Sequence, residues 1–466
     1  MIQALSTGLF QQHVFEDRGC FAVHAGQCIH QILEPDGGGN LFATDMKISC
    51  VMVHVLFSRL CGCGNFSVAV TKAVFVLSRG YSIMAIHFTA SELQQRRDRF
   101  CSDLEKLGLK GVLLFRQESM YYLTGYESFG YCFFQCMVLG VDGRLALLTR
   151  APDLRQAQHT SIVDDIRIWV DDVSASPALQ LKDLLHDLGW HGSQLGIELD
   201  AVGLTAHNWN EVRRTLGGLF ELSDVSDVTS RMRMVKSPAE LGYVERAAVL
   251  ADDALDAAIA VTAAGADEGD ILAAMQSAVF SGGGDYPGNE FIIGSGEDAL
   301  LCRYHSGRRV LDAIDQLTLE FAGVYRRYHA CLMRTLVIGE PTRLQLHMHR
   351  ACADAMEACL EQIRPGCAMG EVFDAHARVM DNSGMLEHRL NACGYSLGAT
   401  FTPTWMDYPM FYKGNPEPIV PGMVLFLHMI LMNSLEGTAM TLGQTIRIDE
   451  DGPVRLSRHD TRLITC

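Results

Sequence analysis

The sequence predicts an α/β protein in two parts: a smaller α/β domain over 84–228, then an α+β domain over 229–466 with a curved antiparallel sheet and outer helices. Three observations predict it. Short apolar runs alternate with amphipathic helical stretches from Ser91 to Leu216, the pattern of helices packed on a sheet. A break falls near Asp224–Arg233, and Ser237-Pro238 then opens a long alanine-rich helix. Beyond it, paired helices stopped by Pro or Gly are followed by strand pairs, twice over.

Taken in order, Ser91-Glu92-Leu93 opens a helix to about Leu107, with Leu93, Phe100, Leu104 and Leu107 on one face. A buried strand over 111–116, a short helix ending at Gly125, and strands over 132–141, 144–149 and 166–171 follow. A helix over 177–188, a strand over 194–198 and a helix over 205–216 complete the first domain. In the second, helices are predicted over 239–264, 267–280, 343–363 and 369–382.

At 466 residues the chain is long enough for two full cores, and 48% hydrophobic with 20% charged is ordinary for a globular protein. A net charge of -17 argues against nucleic acid or an anionic membrane as partner. The longest apolar runs, such as Val51–Phe57, are too short to span a bilayer, and no basic n-region with a long apolar core opens the chain. Fifteen cysteines, odd in number and irregularly spaced, point to reduced thiols and a cytoplasmic location. Residues 1–83 differ: ten of 83 are charged, about 12%, and no period persists. They read as an atypical extension, disordered or not native, with Met84 as the natural start.

The densest polar load is Leu317–Thr335, L-T-L-E-F-A-G-V-Y-R-R-Y-H-A-C-L-M-R-T. Glu320, His329, Cys331 and three arginines lie between apolar strand segments. Buried polar groups cost roughly 1–3 kcal/mol each unless paired, so this is a satisfied network or an active site.

The stretch resembles the strand pair of the creatinase/prolidase/aminopeptidase P family, the "pita-bread" hydrolases, which include ectoine hydrolase. L-K-G-V-L-L-F…Y-Y-L-T-G-Y (109–126) and M-V-K-S-P-A-E (234–240) are similar to that family's first domain and hinge. The resemblance covers about 88–460 and implies a pita-bread catalytic domain. In the metallopeptidases of the family, two aspartates, a histidine and two glutamates bind metal. The corresponding positions here hold Glu320, Cys331, Tyr395, His428, and Gly443 or Gln444. A carboxylate-rich dinuclear site needs several bridging oxygens, and one Glu does not supply them. The resemblance therefore points to the metal-free branch, creatinase and ectoine hydrolase, with no cofactor.

On that reading the chain hydrolyses a C–N bond in a small cationic or zwitterionic compound, such as a cyclic amidine or a guanidino acid. Glu320, His329, His428 and Tyr395 are the catalytic candidates, with imidazole as proton shuttle. Arg303, His305, Trp405 and Tyr328 are candidates for holding substrate, with the Arg303 guanidinium gripping a carboxylate of the substrate. Arg334 reads as structural, Cys331 as a buried thiol, Asp407 as a loop cap, and His347 and His349 as surface residues. Two alternatives stand beside this: an Xaa-Pro peptidase with zinc or manganese on an altered site of Glu320, Cys331 and His428, and a catalytically inactive binding protein. The resemblance also implies a homodimer.

Overall fold

The computed structural model describes residues 86–303 and 309–466; the expectations for residues 1–83 and for His305 lie outside the described residues.

The first part is built on a six-stranded sheet. Helix α1 (Ala90–Lys106) is capped by the Thr89 hydroxyl, which accepts from the Glu92 amide, and it buries Leu93, Phe100 and Leu104. Strand β1 (Gly111–Leu114) and helix α2 (Gln117–Thr124) follow, with Gly125 taking the left-handed conformation at φ 81° that closes α2. Next come β2 (Cys136–Gly140), β3 (Leu145–Arg150), α3 (Leu154–Thr160), β4 (Asp165–Trp169), α4 (Pro177–Asp187), β5 (Gln194–Ile197), α5 (Ala206–Leu216) and β6 (Glu221–Asp224). The sheet order is β4-β3-β2-β1-β5-β6, antiparallel at β1–β2 and β2–β3 and parallel elsewhere. The strand predicted over 132–141 is shorter. Residues 130–132 form a turn of 3₁₀ helix that brings Tyr131 against Phe401.

After α6 (Ser226–Arg231), helix α7 (Pro238–Val261) starts on a complete capping box. The Ser237 hydroxyl accepts from the Glu240 amide and the Glu240 carboxylate accepts from the Ser237 amide. Ser237 also donates to Glu92 Oε1 at 2.6 Å, tying α7 to α1. Ser237→Ala is therefore expected to cost about 1–2 kcal/mol in urea unfolding; a change below about 0.3 kcal/mol would mean that the cap is replaced by solvent.

Helix α8 (Glu268–Ser281) and strand β7 (Ile292–Ser295) lead into the long hairpin β8 (Asp315–Tyr325) and β9 (Tyr328–Ile338). The hairpin turns on Arg326 and Arg327, both left-handed at φ 50° and 67°. Helices α9 (Arg343–Gln362) and α10 (Met369–Asn382) precede β10 (Ala392–Ser396), β11 (Asp407–Tyr412), β12 (Val424–Asn433), β13 (Thr438–Asp449), β14 (Gly452–Arg455) and β15 (Ile464–Thr465). Among the described residues these strands form a nine-stranded sheet with the path β11-β10-β12-β13-β9-β8-β7. β14 joins β13, and β15 joins β9 as the parallel pair of an otherwise antiparallel sheet.

Helices cover one face of this sheet. Leu425, Leu427, Met429 and Leu442 pack with Met348, Cys352 and Met356 of α9 and Phe373 of α10. Gly323 lets α7 approach β8 with no side chain between. Arg334, on this covered face, donates to the carbonyls of Met333 and Gly443, the strand-tying role expected of it.

Candidate active site

Period-two alternation and the strand register decide which side chains meet on the other face. Glu320 lies opposite Met333, Ala322 opposite Cys331, and Val324 opposite His329. Met333 lies opposite Gly443, Gly443 opposite His428, and Tyr395 opposite Phe426, which is two residues from His428. One face therefore gathers Glu320, His329, Cys331, Gly443, His428, Phe426 and Tyr395. Four stretches separated by up to 123 positions supply them, from Glu320 to Gly443.

Glu320 is 8% exposed, and burial pushes its carboxyl up to about 7 against the opposing pull of the Tyr395 hydroxyl and the Arg303 charge. The Tyr395 hydroxyl donates to Glu320 Oε1 at 3.3 Å and accepts from the Trp405 indole N–H at 2.8 Å. Two successive donors thus aim at one carboxylate. The Tyr395 phenol is itself pushed well above its usual range by burial and by Glu320, so it stays protonated as a donor.

His428 packs at a tilt against Tyr395 and Phe426, with ring centroids 5.6 and 5.7 Å away and interplanar angles of 53° and 46°. Burial, reinforced by the charge of His376, brings its imidazole down to about 3, so the ring is neutral near pH 7. Its Nδ1 is buried and has no hydrogen-bond partner in the described structure. His329 shares the face but is closed. Its Nε2 accepts from the Gly288 amide at 2.8 Å, and its Nδ1 lies 3.2 Å from Thr400 Oγ1 and 3.4 Å from the Gly398 carbonyl. Burial lowers it to about 4. Both nitrogens are engaged, which leaves no free position for proton transfer in this arrangement.

Tyr328 differs from its expected place beside substrate. As the neighbour of His329 it points to the opposite face, where its hydroxyl donates to Glu240 Oε1 at 2.7 Å among Phe88 and Tyr243. The alternation of the strand, which sequence proximity ignores, puts it there. Arg303 is exposed, and its charge reaches Glu320 and His428. Trp405 is 1% exposed; its indole reaches Tyr395 rather than open space.

The five positions that correspond to metal ligands in the resembling peptidases now have definite surroundings. Cys331 is fully buried, its amide donates to Thr445 Oγ1 at 2.8 Å, and burial and then Glu320 push its thiol well above the usual range. Gly443, not Gln444, occupies the fifth place on the site face. A Cβ there would stand 2.7 Å from Phe426 Cζ and 2.9 Å from Met333 Cβ. The Phe426 ring thus fills the space a fifth carboxylate would need. With one carboxylate, a phenol engaged at both sides and a protonated thiol, these residues do not fit a dinuclear metal centre. Among the described residues no group of three His, Cys, Asp or Glu side chains is placed to hold a metal ion.

Phe426 of β12 is the site-face residue that the sequence motifs do not mark. Phe426 carries no signal beyond an apolar strand position. Asp407, expected as a loop cap, is instead the first residue of β11, with its carboxylate buried on Arg233 at 3.1 Å. His347 and His349 accept no role at the site; their Nε2 atoms lie 3.1 and 2.9 Å from the carbonyls of Ser383 and Thr461.

Comparison with known proteins agrees with this architecture. Residues 242–455 match the model of metallopeptidase family M24, and residues 96–235 match the creatinase/prolidase N-terminal domain. The ectoine hydrolase of Halomonas elongata is 25% identical over 386 residues, covering 79% of this chain and 96% of that protein. The Xaa-Pro dipeptidase of Pyrococcus furiosus is 21% identical over 375 residues, covering 80% and 100%. Among solved structures, the prolidase of Thermococcus sibiricus superposes with a TM-score of 0.73 at 19% identity, covering 80% and 99%. The dipeptidase of Pyrococcus horikoshii gives 0.70 at 20%, covering 80% and 100%.

Proposed function

Because the chain belongs to the pita-bread family M24 and carries a creatinase/prolidase N-terminal domain, we propose that it is a hydrolase that opens a C–N bond of a small cationic compound without a metal ion. An ectoine-like cyclic amidine or a creatine-like guanidino acid is the substrate class. The observation that carries this reading is the carboxylate of Glu320, buried on the site face with a proton affinity of about 7 and two donors in line behind it.

A carboxyl poised near pH 7 is matched to proton transfer, whereas both histidines are depressed too far to charge. Glu320 takes the proton of a water molecule as its oxygen attacks the amidinium carbon. The same proton then passes to the departing nitrogen as the C–N bond breaks. The Tyr395 hydroxyl holds the carboxylate in place. Neutral His428, with Nδ1 unpartnered, offers a hydrogen bond to the substrate or the leaving amine. His329 keeps the Gly288 and Gly398 segments in register with β9, a positioning part. Arg303 receives a substrate carboxylate. The aromatic walls from Tyr395, Phe426 and Trp405 favour a cation through their ring faces.

The relatives include both an ectoine hydrolase and Xaa-Pro dipeptidases; the donor set here favours the first chemistry. The test is an assay of the purified chain on ectoine, creatine and Xaa-Pro dipeptides, before and after dialysis against a chelator. Turnover of a cyclic amidine or guanidino acid that survives the chelator is the expected result. Dipeptide cleavage that returns only with zinc or manganese would overturn it.

A further inference from the structure

The loop from Phe401 to Asp407 carries Trp405, and charged groups from outside the loop grip both of its ends. At one end the Phe401 amide donates to Glu118 Oε1 of α2 at 3.1 Å. At the other, Arg233 Nη2 donates to Asp407 Oδ1 at 3.1 Å, with the two side chains 5% and 6% exposed. The second arm of the Arg233 fork reaches the small domain. It donates to Ser119 Oγ of α2 at 3.2 Å and to the Thr229 carbonyl at 3.1 Å.

A second cation completes the cluster. Lys236 is buried, which lowers its ammonium to about 8, and it donates to the Met234 carbonyl at 3.0 Å and Ser396 Oγ at 3.4 Å. Burial alone would raise the Asp407 carboxyl, but Arg233 and Lys236 outweigh it and hold it below its usual range. Lys236 and Asp407 can come close because Gly398 has no side chain; a Cβ there would lie 3.1 Å from Asp407 Oδ2 and 3.7 Å from Lys236 Cε.

Desolvating such charges is expensive, and a well-packed apolar pair would stabilise the fold as well or better. What an apolar pair does not supply is direction. Only Met406 separates Asp407 from Trp405, whose indole N–H fixes the Tyr395 hydroxyl that points at Glu320.

We propose that the Arg233–Asp407 ion pair is a positioning device: it holds the 401–407 loop so that Trp405 keeps Tyr395 directed at Glu320. The small domain, through Ser119 and Glu118, thereby sets the geometry of a carboxylate on the far sheet. The inference rests on the reading of Glu320 and Tyr395 as the reacting centre.

The test uses the full chain labelled with ¹⁵N-tryptophan. Its four tryptophans, Trp169, Trp190, Trp209 and Trp405, give four indole signals; the one lost in Trp405→Phe belongs to Trp405. In Asp407→Asn that signal is expected to move to the position of an unbonded indole and its hydrogen to exchange at least about tenfold faster. The signals of Trp169, Trp190 and Trp209 stay in place. A Trp405 signal unmoved in the folded variant overturns the proposal, as does a parallel movement of all four. Should Asp407→Asn not fold, Arg233→Lys keeps the charge and loses the planar fork. Its Trp405 signal is read in the same way: movement of that signal alone supports the proposal, and no movement or movement of all four overturns it. Because the readout needs no substrate, a wild-type chain without turnover would remove the hydrolase reading and leave this result standing.

Discussion

Glu320→Gln is expected to lower turnover by on the order of 10²–10⁴-fold and, at pH 8, to make the protein more stable than the wild type. The two effects have one cause. In the folded chain the carboxyl holds its proton up to about 7, against an ordinary value of 4.5. Between those values the native state binds more protons than the unfolded state, so stability falls as pH rises. The contribution is fully present below 4.5 and is lost as pH passes through about 7. At about 1.4 kcal/mol per pH unit between the two values, the loss is roughly 3 kcal/mol. Glutamine keeps the shape, still accepts from Tyr395 and has no charge to desolvate. Thermal melts at pH 4 and pH 8, beside steady-state rates, check both halves. A variant that keeps a tenth of wild-type turnover, or that melts lower than wild type at pH 8, would remove Glu320 from the centre of the site.

Gly323→Ala is the substitution expected to harm the fold most. Gly323 sits on β8 where α7 crosses the sheet. An added Cβ would run into the Ala247 carbonyl oxygen and the Ala251 amide nitrogen and would stand 2.9 Å from the Leu250 carbonyl carbon. These are backbone atoms of a 24-residue helix, and no rotamer change relieves them. Separating α7 from the sheet would open the core formed by Val244, Ala251 and Leu255 against Leu319 and Phe321. The cost is expected to exceed about 3 kcal/mol, read as a fall in the urea midpoint with loss of the cooperative transition at 37 °C. A variant within about 1 kcal/mol of wild type would mean that α7 does not seat there.

The two predictions concern opposite faces of one strand, and their legibility in the sequence differs for that reason. That Glu320 is buried follows from its place between Leu317 and Ala322, and its chemical importance follows from the rarity of a carboxylate in such a run. The helix start at Ser237 and the stops at Gly125 and Gly282 are local signals, decided within four residues, and the helix expected from Ser91 begins one residue earlier, at Ala90, on the Thr89 cap. The motif at 234–240 marked the hinge because a capping box is written in consecutive residues. Register is not written so. His329 and Tyr328 are neighbours with similar motif weight, yet strand alternation sends one to the site face and the other to Glu240 on α7.

The chain by itself determined the family, the order and kind of the elements, and the loss of the carboxylate set that its peptidase relatives' motifs carry, since each depends on residues close together in sequence. Only the folded molecule decided which side chains act on one another. It closed both nitrogens of His329, laid the Phe426 ring over Gly443, turned Asp407 from a loop cap into the buried partner of Arg233, and lined Trp405 and Tyr395 up on Glu320. The physical reason is that proton affinity and hydrogen-bond direction arise from burial and from partners far apart in the chain, 174 positions between Arg233 and Asp407 and 283 between Glu118 and Phe401.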